Sequence, residues 1–242
     1  MSDKPKVSYQ AAQRLELRYT GNILGELDPL PRLGTIIKNE RKAHPQMLLL
    51  DTGNFSGPNK PGPHQGKPHI EVMNALHYDA AVPGRAETKD SVALRQMGRN
   101  AKFPLVATNW KGMGEGNYFE RVVKIKRGDL NIAILGLAWN EAPQDTEVIP
   151  AEQAVKEVLK DIDTDNTIVV VLSVLGYIAD RSLAMNNRCT MIILSGVDSP
   201  GFEEQVMVGN SLLVPVVPNA ENLGALDVDL SGRVEVRQES DK

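Results

Sequence analysis

The 242-residue sequence contains few of the residues that support metal, redox or base-stacking chemistry. It has one cysteine, Cys189, and four histidines, and only 5% of its residues are aromatic. A single cysteine excludes an internal disulfide and a thiolate metal cluster. The shortage of aromatic side chains weighs against a surface on which nucleobases stack.

Charge and hydropathy exclude two further classes of partner. Lysine and arginine total 27 against 31 acidic residues, a net charge of -4, so no positive excess would hold a nucleic-acid backbone or insert into an anionic membrane. No apolar run approaches the ~18 residues of a membrane span. The first ten residues, MSDKPKVSYQ, lack the hydrophobic segment of a secretory signal. They indicate a cytoplasmic chain or an already trimmed mature end.

Apolar runs rich in β-branched residues alternate with segments of helical spacing. Seven such runs predict buried strands: Leu15–Tyr19, Met47–Leu50, Ala80–Val82, Leu105–Ala107, Leu130–Leu137, Ile168–Leu172 and Met191–Leu194. Three segments between them predict helices: Leu30, Leu33 and Ile37; Ile70, Met73 and His77; Val155, Val158, Leu159 and Ile162. This alternation is typical of the α/β class.

The domain organisation follows from where the pattern changes. No linker divides the chain, so we predict a tail over residues 1–14, one domain over 15–238 and a polar tail over 239–242. Residues 54–68 are rich in glycine and proline and predict an exposed loop after the second strand. From Val206 onward, short runs broken by Gly209-Asn210 and Ser231-Gly232 indicate antiparallel hairpins that close the domain.

Functional groups of α/β sheets collect in the loops beyond the carboxyl ends of the strands. The segments at those places are Tyr19–Gly25, Leu50–Gly57, Val82–Glu87, Val106–Trp110, Leu172–Gly176 and Leu194–Ser199. In this order they resemble the calcineurin-like metallophosphoesterases, more narrowly the N-terminal domain of the 5'-nucleotidase and UDP-sugar hydrolase family. The resemblance runs from about Glu16 to Val236. It implies two packed mixed β-sheets flanked by helices, a four-layer sandwich.

Members of this family hold two divalent metals that activate a water for attack on a phosphate ester, and such ions need anionic or imidazole ligands. The resemblance implies that the metal ligands and the catalytic histidine would stand at eight positions of this chain. Other residues occupy them: Asn22, Leu24, Asn54, Arg85, Ala86, Val174, Val197 and Ser199. Asn109 keeps the residue of the family and would lie beside its substrate pocket.

The replacements predict a protein without bound metal, other cofactor or catalytic residues. Asn22 and Asn54 are expected to stabilise turns, and Arg85 to pair with Glu87 or Asp51 while repelling a cation. Leu24, Val174 and Val197 would fill the vacated volume and close the site. The leading hypothesis is an inactive scaffold that acts as a binding or structural partner, for instance of another protein.

Two alternatives stay open at this point. The first is a phosphoester hydrolase with a remodelled or single-metal site built from Asp51, His64, His69 and Asp198. The second is a metal-free binder in which Arg85 and Asn109 hold a small phosphate-bearing anion. Localisation is open as well, because the family resemblance favours the periplasm or cell exterior while the N-terminus favours the cytoplasm.

Overall fold

The computed structural model describes residues 14–57, 66–112, 118–144, 146–197, 199–216 and 220–230, and the backbone of 233–239. Strands and helices alternate through these ranges. The strands are β1 (Arg14–Thr20), β2 (Leu48–Asp51), β3 (Ala80–Ala81), β4 (Leu105–Val106), β5 (Trp110–Lys111), β6 (Phe119–Glu120), β7 (Val123–Arg127), β8 (Leu130–Leu137), β9 (Glu147–Val148), β10 (Ile168–Ser173), β11 (Met191–Ser195), β12 (Val206–Val208), β13 (Ser211–Pro215), β14 (Leu223–Asp229) and β15 (Arg233–Glu239). The helices are α1 (Leu30–Ala43), α2 (Lys67–Ala75), α3 (Arg85–Thr88), α4 (Ser91–Asn100), α5 (Ala151–Leu159) and α6 (Tyr177–Asn186).

The strands form two large mixed sheets. The first sheet has seven strands in the order β15-β14-β1-β2-β3-β4-β6, and the second has six in the order β12-β13-β11-β10-β8-β7. Strands β1 to β4 run parallel in the first sheet, as do β8, β10, β11 and β13 in the second. The two strands β5 and β9 form a separate small ladder. Two mixed sheets flanked by helices are the architecture that the family resemblance implies.

Both faces of the second sheet are covered by apolar side chains. Along β8, Ile132 and Ile134 belong to the large core shared with the first sheet, whereas Ala133, Leu135 and Leu137 belong to a second cluster with residues of α5 and α6. A strand buried on both faces is a continuous apolar run rather than an alternating one, which is why these strands are recognisable in the sequence.

The seven predicted strands all correspond to strands of the structure, but the helices agree less well. Helix α2 ends at Ala75, and His77 has a left-handed φ of 56°, so His77 terminates the predicted helix rather than extending it. Helices α4 and α6 were not predicted. Helix α6 exposes 86% of Ile178 and 60% of Met185 and buries Asp180, so its pattern lacks the usual apolar stripe. No helix in the described ranges is long and apolar enough to cross a bilayer.

The C-terminal hairpins are separated between the two sheets. Strands β12 and β13 pair antiparallel, and β13 continues the parallel part of the second sheet beside β11. Strands β14 and β15 also pair antiparallel, and β14 lies against β1 in the first sheet. The predicted hairpins are therefore confirmed as pairs, but they extend two sheets rather than closing one.

Candidate functional site

The carboxyl ends of the parallel strands in both sheets meet at one edge of the sandwich, here called the upper edge. The side-chain amide of Asn22, after β1, donates to the carbonyl of Gly196, after β11. A Cβ placed on Gly53, after β2, would lie 2.7 Å from Cγ1 of Val174, after β10. The loops that the sequence singles out are therefore in contact.

Glu87 connects the loops of the upper edge. Its Oε2 accepts hydrogen bonds from the backbone N–H of Gly84 at 2.8 Å and of Asn54 at 3.0 Å. Its Oε1 accepts from both the N–H and the hydroxyl of Ser56, at 2.8 and 2.7 Å. The side chain is fully buried, and burial raises the pKa of the carboxyl while the four hydrogen bonds oppose that rise. One carboxylate thus fixes the loop after β2 against the start of α3.

Asn22 and Asn54 hydrogen-bond to one another. Nδ2 of Asn54 donates to Oδ1 of Asn22 at 2.9 Å, and Oδ1 of Asn54 accepts from the backbone N–H of Ala86 at 3.1 Å. Both residues have left-handed backbones, with φ of 52° and 57°, a conformation that asparagine tolerates better than most residues. Their predicted turn role fits this geometry, with the addition that the two turns are joined side chain to side chain.

Arg85 does not form the ion pair that the sequence suggests. Its guanidinium lies over the ring of Trp139, with Cζ 5.5 Å from the ring centroid. Glu87 is occupied by loop donors, and Asp51 by the hydroxyl of Thr20 and the N–H of Gly53, so neither carboxyl pairs with Arg85. The reason is geometric, since both carboxyls point into the protein whereas Arg85 is exposed.

The apolar replacements fill the upper edge only in part. Val174 is completely buried and Val197 is half-buried, and both fit the expectation of a filled site. Leu24 does not, because half of its surface is exposed and its backbone has a φ of 54°. Its backbone N–H donates to the carbonyl of Asn54 at 2.8 Å, which helps to hold this strained conformation and directs the side chain to the surface.

The remaining predicted residues serve the backbone. Ser199 accepts from the N–H of Tyr177, the first residue of α6, at 3.3 Å, and Ala86 is buried. Asn109 is fully buried and bonds through both amide atoms to the backbone of Ala138, at 2.8 and 2.9 Å. The side chain of Asn109 is therefore committed to the fold, which removes it from the predicted pair of anion-binding residues.

Two further buried carboxyls lie just beneath the upper edge. The sequence suggested Asp51 as a partner of Arg85 or a metal ligand, and it did not single out Asp180. Asp51 accepts from Thr20, whose hydroxyl also contacts that of Tyr78 at 3.0 Å, and burial raises the pKa of Asp51 to about 8. Asp180 accepts from Ser173 and Ser195, which end β10 and β11, and burial raises its pKa to about 6. In the sequence, Ser173 and Ser195 each directly follow a predicted apolar run, and this position was the one sign that they belong to the site.

We expect the free energy of unfolding to fall by about 2 kcal/mol between pH 6 and pH 8 because of Asp51. The unfolded chain has already lost this proton at pH 6 whereas the folded chain retains it, so raising the pH favours unfolding until the folded pKa is passed. Chemical denaturation at several pH values measures this. The substitution Asp51→Asn should remove this dependence of the free energy of unfolding on pH. The substitution Asp180→Asn should leave the dependence between pH 7 and pH 8 unchanged. An unchanged slope in Asp51→Asn would contradict the assignment.

The residues at the upper edge do not fit a two-metal centre. The implied ligand positions hold neutral amides that bond to one another, a guanidinium and apolar side chains, whereas divalent ions require anionic or imidazole donors. Within the described ranges, no group of three histidine, cysteine or acidic residues has the geometry to hold a metal. Of the alternative ligand set, Asp51 and His69 are buried, and His64 and Asp198 lie outside the described residues.

Comparison with known proteins gives a consistent relationship. The chain is 27% identical to human 5'-nucleotidase over 182 residues, which is 68% of this chain and 31% of that protein. It is 22% identical to the metallophosphoesterase YunD of Bacillus subtilis, over 89% of this chain and 50% of that protein. No family model matches the sequence. The chain thus has homologues among 5'-nucleotidases and metallophosphoesterases and spans a third to a half of the length of these relatives.

Solved structures agree on the fold. The NAD nucleotidase of Haemophilus influenzae superposes with a TM-score of 0.79 at 14% identity, covering 95% of this chain and 50% of that one. A second match, GAP50, is described as the anchor in the inner membrane complex of Plasmodium. It has a TM-score of 0.52 at 9% identity and covers 94% of this chain and 84% of that one. The architecture is that of the 5'-nucleotidase N-terminal domain.

Proposed function

We propose that this chain is a metal-free, non-catalytic scaffold of the 5'-nucleotidase fold that works by binding a partner. The observation that carries the proposal is the hydrogen bond between Asn22 and Asn54. At the place where the resemblance implies acidic ligands for two ions, two neutral amides bond to each other at 2.9 Å. Neither amide brings the negative charge that would offset a dication.

The charge balance of the upper edge supports the same conclusion. The two carboxyls nearest to the asparagine pair, Asp51 and Glu87, are buried and accept hydrogen bonds from surrounding hydroxyl and N–H groups. The guanidinium of Arg85, next to the residue whose N–H donates to Asn54, is exposed and would repel a cation. Carboxyls committed to internal hydrogen bonds and a guanidinium beside the asparagine pair disfavour metal binding there.

The exposed part of the upper edge is suited to contact with another molecule. Leu24 is half-exposed, and Arg85 lies over the partly buried ring of Trp139. Arginine and tryptophan are the side chains most enriched at the centres of protein interfaces. A solved structure described as an anchor shares this fold.

Metal analysis and a phosphatase assay test the proposal. The purified chain, incubated with manganese and then passed over a desalting column, is expected to retain less than about 0.1 metal ion per chain, since the anionic ligands are absent. It should show no saturable hydrolysis of an aryl phosphate. A catalytically active 5'-nucleotidase treated identically is the control. Stoichiometric metal together with saturable turnover would refute the scaffold proposal and favour the remodelled hydrolase.

A further inference from the structure

A cavity of about 590 Å³ opens at the edge of the sandwich opposite to the upper edge, here called the lower edge. Strands β8, β10 and β11 begin at this edge and β14 ends there. The inner wall of the cavity is apolar and comes from both sheets: Ile168, Ile192 and Leu212 from the second, Val228 from the first. The cavity is therefore remote from the loops that carry the asparagine pair.

The cavity reaches the first layer of the core between the sheets and stops there. Ile192 and Leu212 retain 7% and 8% of their accessible surface, whereas Leu194 and Val170, one layer further in, retain none. Large apolar side chains are normally packed at this depth. An apolar ligand entering the cavity would cover this remaining surface and gain about 25 cal/mol for each Å² removed from water.

The described charged residues that line the cavity are acidic. Among the described residues that line it, the charged ones are Asp129 and Asp165, and both are exposed. Asn131, Asn166 and Asn210 also line the cavity, and each donates from its Nδ2 group to an oxygen of the protein. Acidic and amide oxygens above an apolar wall attract a protonated amine and repel a carboxylate or phosphate.

We infer that the lower edge is a binding site for a small amphiphile that has an aliphatic body and a positively charged amine. The volume lies within the 300–1,000 Å³ or so that is usual for ligand pockets. The aliphatic body would lie against Ile168, Ile192, Leu212 and Val228, with the amine beside Asp129 and Asp165. The site is independent of the scaffold function proposed for the upper edge.

Titration calorimetry with two ligands of equal chain length tests this site. Decylamine, which is protonated at neutral pH, is expected to bind the full chain at one site per molecule, and decanoate at least about fivefold more weakly, because the two rim carboxylates attract one head group and repel the other. Raising the salt concentration should reduce that difference. Equal affinities, non-saturable uptake or no binding of decylamine would overturn the inference.

Two variants separate the site from non-specific adsorption. The double substitution Asp129→Asn/Asp165→Asn, at exposed positions, should weaken decylamine binding about fivefold, whereas Glu26→Gln/Asp28→Asn makes the same charge change at the upper edge and should leave it unaltered. The substitution Val228→Trp should abolish binding by filling the cavity. If Val228→Trp impairs folding, the Asp129→Asn/Asp165→Asn variant alone decides. Equal affinity of this variant and of Glu26→Gln/Asp28→Asn for decylamine would overturn the inference.

Discussion

Replacing Glu87 with alanine is expected to lower the free energy of unfolding by about 3–5 kcal/mol, the range usual for removing one side of a buried charged network. The side chain is fully buried and is the acceptor for the N–H groups of Gly84, Asn54 and Ser56 and for the Ser56 hydroxyl. Alanine leaves these donors without that acceptor, and each unsatisfied buried group costs about 1–3 kcal/mol.

Chemical denaturation of purified variants measures the effect. The isosteric substitution Glu87→Gln should cost less than Glu87→Ala, because its carbonyl oxygen retains two of the four hydrogen bonds while its amide opposes the other donors. Glu141→Ala, at an exposed position, serves as the control and should stay within about 0.5 kcal/mol of the parent. A loss below 1 kcal/mol for Glu87→Ala would mean that Glu87 does not hold the loops together.

The double substitution Asn22→Asp/Asn54→Asp is expected to destabilise the chain strongly and to make its stability respond to manganese. The amide hydrogen bond of 2.9 Å would become a contact between two carboxylates. At an effective dielectric constant of about 20, their repulsion is about 5 kcal/mol until one of them takes up a proton. A dication between them would remove that repulsion and stabilise the folded state by mass action.

Thermal unfolding in about 1 mM manganese chloride and in a chelator tests this expectation. A concentration of about 1 mM is high enough for a weak site to stabilise the folded state by mass action. The double variant should melt well below the parent in chelator and recover in manganese, whereas the parent should be indifferent to both. Each single substitution is a control with one carboxylate and should respond less. A double variant with parental stability and no response to manganese would show that the two loops move apart instead of meeting the ion.

The strand pattern was sufficient to predict the α/β class because the buried strands are distinctive, whereas the two-sheet architecture came from the family resemblance. Runs such as Leu130–Leu137 and Ile168–Leu172 are apolar throughout, which happens when a strand is covered on both faces. The location of the site followed as well, since the segments around Asn22 and Asn54 come directly after such strands. Local pattern and chain order thus give the class of the fold and the edge of the sheets at which the site lies.

The partners of the site residues could not be predicted in the same way. Arg85 stacks on Trp139, a residue far along the chain, and Asn109 bonds to the backbone of Ala138 in another strand connection. A sequence does not show which backbone N–H groups a side chain will meet. Glu87 was therefore predicted as a salt-bridge partner of Arg85, whereas its carboxylate oxygens accept from N–H groups of the loops. Contacts of this kind depend on how the sheets pack, which the pattern of one strand does not encode.

The hydrogen bonds of Glu87 also bear on how such a chain can diverge. Loops whose shape depends on a coordinated ion would collapse with the first lost ligand, and most intermediates would be purged. Here a carboxylate of the protein itself supports the loops, so under the scaffold proposal the upper edge keeps its shape without an ion. Under the scaffold proposal, the architecture persists without metal chemistry, and its outer surface is free to be selected for another purpose.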